Sequence, residues 1–132
     1  MAKQIPVGTT AEMEETVEFR HTLTATHPEL PPVYSTPDMI RLMENAAFKA
    51  LQPYCEGDEI TVGTQINIEH RAASGIGARI RAEAVLESFD GRFYTVRVKA
   101  SDNHREIGRG TVGRAVVSIS KFVEKMKDGE RE

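Results

Sequence analysis

The chain has a single cysteine, Cys55, so it can form no internal disulfide. Its four histidines and that lone thiol fall at no zinc-ligand spacing, and we expect no metal site. No apolar run approaches the length of a membrane span, and the opening MAKQIPVGTTAEMEE lacks the apolar core of a secretion signal. Charge of one sign is also in short supply: a net −3 gives no electrostatic case for nucleic acid. What remains is 132 residues, 39% hydrophobic and 28% charged, an ordinary soluble balance with enough chain to bury a core. We therefore expect one domain over 1–132, with 1–11 and 123–132 as loose tails. We expect it in the cytoplasm, with neither nucleic acid nor membrane as partner.

The most organised stretch is TPDMIRLMENAAFKALQP, from Thr36 to Pro53. Thr36 reads as a helix N-cap, Pro37 as the first helical residue, and Asp38 as a negative charge beside the positive end of the dipole. Pro53 gives the stop. Met39, Ile40, Met43, Ala46, Ala47, Ala50 and Leu51 then share one broad face, opposite Asp38, Arg41, Asn45 and Lys49. Glu44 does not fit. It falls on the flank of the apolar arc, where an unpaired carboxylate is costly unless it reaches water.

Strands surround this helix. Val17, Phe19, His21, Leu23 and Ala25 alternate with polar residues, predicting a first strand over Glu15–Ala25. HPELPPV, His27 to Val33, holds three prolines and must be a loop entering the helix. After the helix, Ile60, Val62, Thr64, Ile66, Ile68 and His70 line one face of a second strand, and Thr61, Gly63 and Gln65 the other. His70 thus extends an apolar face, a position more often structural than functional. Gly63 inside a strand predicts a bulge or a close approach. A third strand carries Ala78 to Leu86, Asp90-Gly91 turns the chain, and a fourth carries Tyr94 to Ala100. The last strand is expected over Glu106–Phe122. Its GRGTVG matches a dinucleotide fingerprint in letters only, because the following RAVVSIS is strand-like where that fold needs a helix. Those glycines instead allow curvature or close packing on a helix. One helix must cover the apolar face of a meandering antiparallel sheet. This is an α+β chain of hotdog type, a sheet wrapped around one long central helix.

Three blocks, VYSTPDMIRLMENAAFKALQPY, GTQINIEHRAAS and EIGRGTVGRAVV, resemble in order and spacing the hotdog thioesterases, most closely the fluoroacetyl-CoA thioesterase-like group. The resemblance implies hydrolysis of a small acyl-CoA thioester. It places the family's threonine, glutamate and histidine on Thr36, Glu44 and His70, and its assisting glycine and arginine on Gly63 and Arg114. Coenzyme A would enter as part of the substrate, with no further cofactor. One departure is local: the fluoroacetate-specific enzyme has phenylalanine in the loop before its threonine, and here that loop carries Leu30.

On this reading Glu44 is general base or nucleophile and His70 orients water or moves protons. Thr36 hydrogen-bonds the substrate or merely caps the helix. Gly63 offers an amide to the oxyanion. Arg114 meets a carboxylate, the coenzyme phosphates, or solvent at the rim. Glu44 and His70 are expected to reach one reacting carbonyl. A non-catalytic acyl-CoA-binding module is the alternative. A hydratase-like enzyme is weaker, as no Asp-x-x-x-x-His pair opens the helix. The open edges of such a sheet predict a homodimer or a dimer of dimers.

Overall fold

The computed structural model describes residues 3–131. In chain order the elements are β1 (Thr10–Thr16), α1 (Thr36–Leu51), β2 (Glu59–His70), β3 (Arg79–Phe89), β4 (Tyr94–Ser101), β5 (Glu106–Ser118) and α2 (Ile119–Arg131). Short 3-10 turns cover Phe19–His21, Leu23–Ala25 and Gln52–Tyr54. The five strands form one antiparallel sheet in the order β1-β3-β4-β5-β2, so β1 and β2 are its edges.

Helix α1 lies on the inner face of this sheet, as a hotdog arrangement requires. Met39, Leu42, Met43, Ala46, Ala47, Ala50 and Leu51 are buried on the helix side. Ile80, Ala82, Ala84 and Leu86 of β3 and Tyr94, Val96, Val98 and Ala100 of β4 answer them. Alanine on both sides lets helix and sheet approach closely. The approach is closest at β5. A Cβ on Gly108 would lie 2.6 Å from Met39 Sδ, and one on Gly110 would lie 2.0 Å from the Asn67 carbonyl oxygen. The G-x-G-x-x-G spacing is therefore a packing device between β5, α1 and β2.

The edges of the fold depart from the sequence pattern. The first strand is Thr10–Thr16, paired with β3, rather than Glu15–Ala25. Beyond Thr16, side chains offer the backbone local bonds that compete with a ladder. The Glu18 amide donates to His21 Nδ1 at 2.9 Å, and the Thr22 hydroxyl to the Phe19 carbonyl at 2.7 Å. The lead-in is not loose: Ile5 is buried, and Gly8 and Thr9 exchange backbone bonds with Leu86. Met1 and Ala2 lie outside the described residues.

The other end differs too. β5 stops at Ser118, four residues short of Phe122, and α2 replaces the expected tail up to Arg131; Glu132 lies outside the described residues. Asp58 stops the strand. Its carboxylate accepts the hydroxyls of Ser118 and Ser120 and the Ser120 amide, at 2.9–3.1 Å, as a helix cap supplied from another segment. Those bonds hold Asp58 below the usual carboxylate range.

Candidate active site

The segment that enters α1 is held from behind. Tyr34 is buried and its hydroxyl donates to Glu15 of β1 at 2.5 Å. Burial, followed by that bond, pushes its phenol well above the usual range. The Ser35 amide donates to the His21 carbonyl at 2.9 Å. The N-cap is Ser35, not Thr36: the Ser35 hydroxyl oxygen accepts the Asp38 amide at 3.1 Å, and its proton goes to the Asp38 carboxylate. Two adjacent residues can each cap a helix, and Pro37 is tolerated at the second helical position as well as the first.

The one-residue shift frees Thr36. Its Oγ1 lies 2.8 Å from Nδ1 of His70, at the far end of β2. Nε2 of His70 is buried and makes no hydrogen bond. Burial pushes this imidazole below its ordinary value, and the Ala72 backbone offsets part of that. The pair opens onto a cavity of about 280 Å³ lined by Leu23, Val33, Tyr34, Ala72 and Ala73.

Glu44 belongs to a second group. Its Oε2 is 3.2 Å from Nη1 of Arg114, which is only 6% exposed. Arg114 also donates from Nε to Thr61 Oγ1 at 3.0 Å and from Nη2 to the Thr61 carbonyl at 2.9 Å. Its guanidinium lies 5.8 Å from the Phe48 ring centroid. Of the surroundings open to Arg114, a carboxylate is met and solvent at the rim is not. Gly63 closes the group: a Cβ there would lie 2.4 Å from Glu44 Oε2.

This group exists because β2 changes face. Gly63 pairs with Arg114 and Gln65 with Gly113, so Thr64 is an extra residue, a bulge of the kind Gly63 predicts. Before it the odd residues Thr61 and Gly63 face α1; beyond it the even residues Ile68 and His70 do. The uniform even-numbered face expected for β2 therefore holds only in its second half. Thr61, which that pattern put outside, is buried as the partner of Arg114, and the glycine was the one signal that could have revealed it.

The expected site residues thus form two groups in one chain. Thr36 and His70 are joined, and Glu44, Gly63 and Arg114 are joined, but not the two sets to each other. Thr36 and Glu44 are eight positions apart on α1, about 12 Å of rise. Along β5, Arg114 opposite Gly63 and Gly108 opposite His70 are separated by roughly 20 Å of strand. Glu44 and His70 of one chain therefore do not meet at one carbonyl, contrary to the expectation from sequence. Both are incompletely satisfied all the same. Among the described residues three buried side-chain polar atoms lack a partner, and two of them are Glu44 Oε1 and His70 Nε2. Buried polar atoms are nearly always paired, so each of these, like Gln52 Oε1, calls for an explanation.

Residues 9–120 match the family of FlK, the fluoroacetyl-CoA-specific thioesterase. The chain belongs to that family. It is 41% identical over 99 residues to the fluoroacetyl-CoA thioesterase of Streptantibioticus cattleyicolor, a match covering 75% of this chain and 71% of that one. The solved structure of the fluoroacetyl-CoA thioesterase FlK superposes with a TM-score of 0.89 at 35% identity, covering 96% of this chain and 98% of that chain. A Thermus thermophilus hypothetical protein described as a thioesterase superfamily member superposes at 0.87 with 28% identity, covering 98% and 99%. The family match spans every strand and both groups of site residues.

Proposed function

We propose that this chain is an acyl-CoA thioesterase that hydrolyses a small acyl-CoA thioester with Thr36, Glu44 and His70. The observation that carries this reading is the pair of unsatisfied buried atoms, Glu44 Oε1 and His70 Nε2, on the two residues best suited to proton transfer. Arg114 occupies Oε2 and leaves Oε1 to take a proton from water. The water oxygen then bonds to the thioester carbon, giving a tetrahedral oxyanion. Collapse breaks the carbon–sulfur bond, and the proton that Glu44 accepted passes by way of the neutral His70 to the departing thiolate, which returns both residues to their starting forms. The products are a carboxylic acid and free coenzyme A. Thr36 holds the His70 ring through Nδ1, and Gly63 leaves room for the carboxylate. Water is the only co-reactant, and coenzyme A arrives with the substrate.

Turnover of a panel of short-chain acyl-CoA esters, followed by release of free thiol, tests this. Hydrolysis of at least one ester is expected, and so is an acid limb of kcat/KM that inflects below 6.5. The direction follows from burial: a depressed histidine stays neutral, and able to take a proton, to lower pH than a free one. No turnover across the panel sinks the proposal. An acid limb at or above 6.5 removes His70 from it.

The working unit in this proposal is a homodimer, alone or paired into a dimer of dimers, with each site shared between subunits. β2 is an open edge, and Ile66 at its middle is 51% exposed on the side of the sheet that α1 covers elsewhere. α2 adds an uncovered stripe of Ile119, Phe122, Val123 and Met126. Antiparallel pairing of two β2 edges brings the His70 end of one copy toward the Gly63 end of the other. That arrangement unites Glu44 of one subunit with the partner's Thr36 and His70. Mixing Glu44→Gln and His70→Ala subunits should then restore activity, because one of the two shared sites in each mixed dimer is intact. A monomer by light scattering with full activity, or a mixture as inactive as its parents, excludes the shared site. Among the described residues no helix is long and apolar enough to cross a membrane. We infer a cytoplasmic enzyme, in keeping with the acyl-CoA substrate proposed for it.

A further inference from the structure

Where β3 turns into β4, at one end of the sheet, lies a hollow of about 630 Å³ that the proposed chemistry does not use. One wall is the lead-in, Lys3 to Val7. It is tied down at both ends, by the Lys3 amide to the Tyr54 carbonyl at 2.9 Å and by the Gly8 amide to the Leu86 carbonyl at 2.8 Å. The facing wall is Phe89, Arg92 and Tyr94 of the hairpin, with Val116 of β5. The rings of Phe89 and Tyr94 are stacked, with centroids 4.2 Å apart and planes 21° from parallel, so this wall is flat and aromatic.

Tyr94 is more than packing. It is only 6% exposed, yet among the described residues its hydroxyl has no hydrogen-bond partner. A buried tyrosine hydroxyl ordinarily finds one. Unlike Glu44 Oε1, Gln52 Oε1 and His70 Nε2, it is not fully covered, so a molecule in the hollow can reach it. Burial, ahead of Cys55 and Glu59, pushes the phenol above its ordinary range, and at neutral pH it is a donor. Two cations also line the hollow. Lys3 and Arg92 are exposed, and neither has an acidic partner among the described residues. Asp90, two positions from Arg92, already accepts the amides of Arg92 and Phe93 at 2.9 and 2.8 Å. The Arg92 guanidinium instead rests over the Phe93 ring, 5.1 Å from its centroid, which steadies it without neutralising it. The carboxylate on the lining, Glu59, accepts the Glu56 amide at 2.8 Å.

We propose that this hollow is a second ligand site, and that it takes a small aromatic carboxylate. The ring of the ligand extends the Phe89–Tyr94 stack, the Tyr94 hydroxyl donates to a carboxylate oxygen, and Arg92 and Lys3 face the charge. A charge-assisted bond from a buried phenol outweighs an exposed ion pair, so Tyr94 sets the affinity and Arg92 adds to it. Tyr94 is also the cross-strand neighbour of Arg114, which holds Glu44, so the site adjoins the reacting groups without including them. It stands whether or not the chain hydrolyses thioesters.

Phenylacetate and its neutral amide, phenylacetamide, are the probes that test it. By calorimetry the wild type should bind the acid about fivefold or more tighter than the amide. Tyr94→Phe keeps the ring and removes the hydroxyl, and should weaken phenylacetate about tenfold or more. Arg92→Ala should weaken it about two- to fivefold, the worth of an exposed charge pair. His70→Ala should bind phenylacetate as the wild type does. In NMR spectra the ring protons of Phe89 should shift on addition of the acid, and those of Tyr34 should not. Equal affinity for acid and amide, no binding at millimolar probe, or unchanged binding by both Tyr94→Phe and Arg92→Ala overturns the proposal. So does loss of binding in His70→Ala with shifts at Tyr34, which would put the probe in the catalytic site.

Discussion

Replacing Glu44 with glutamine should lower kcat by about 10²–10⁴-fold, the range of a lost general base, while KM barely moves. The change is small in shape and large in chemistry. The amide oxygen of glutamine can still accept from Arg114, and Arg114 keeps both of its bonds to Thr61. What disappears is the negative charge and the basic Oε1. Folding should survive, so thermal unfolding read beside the kinetics separates chemistry from collapse. His70→Ala should also lower kcat, and the double variant should lose less than the product of the single losses, as residues serving one step do. Wild-type kcat in Glu44→Gln on the best ester would end the case for Glu44 as base.

Adding one methyl group at Gly63 is expected to be nearly as damaging. The new Cβ would fall 2.4 Å from Glu44 Oε2, so the carboxylate must leave the place where Arg114 holds it. The obstructed atom is the end of a flexible side chain and Gly63 has no left-handed backbone. The fold can therefore accommodate alanine by moving Glu44. The unfolding temperature should change little, whereas a catalytic group displaced by an ångström can cost on the order of 10²-fold in rate. Gly63→Ala with wild-type kcat would show that the position of Oε2 is immaterial to the reaction. A large loss of stability would instead make Gly63 a purely structural residue.

Helix α1 was legible because every local signal agrees on it: cap residues, an early proline, an acidic first turn and one apolar face. The cap moved from Thr36 to Ser35, because both side chains are competent and the letters alone do not rank them, and the buried face takes in Leu42, whereas Ile40, expected there, is only half-buried. The hairpin from β3 to β4 was equally plain. β1 was not, because its sequence TAEMEET places glutamates along an edge strand with only Met13 packed against the core. The better period-2 pattern, Val17 to Ala25, is dissolved by the Glu18–His21 contacts. Within the site, Glu44 and His70 stood out because each is polar on an apolar surface. Their separation into two groups could not be seen, since it depends on how far apart β2 and α1 carry them. Nor could Thr61, because alternation counted along a strand has no means of registering a skipped residue.

That skipped residue, Thr64, has an evolutionary consequence. Gly63 pairs with Arg114 and Gln65 with its neighbour Gly113, so the ladder closes without Thr64, and deleting that residue would leave every position beyond it on the face it now holds. One further residue in the regular run from Gln65 to His70 would instead turn His70 to the outer face and Glu69 inward, with no change in the identity of either. Gln65 and Asn67, both exposed, can vary freely by comparison. For descendants of this chain, β2 tolerates the loss of a residue at Thr64 better than a gain beyond it. A single-codon insertion between Gln65 and His70 would be more harmful than most substitutions within the same stretch.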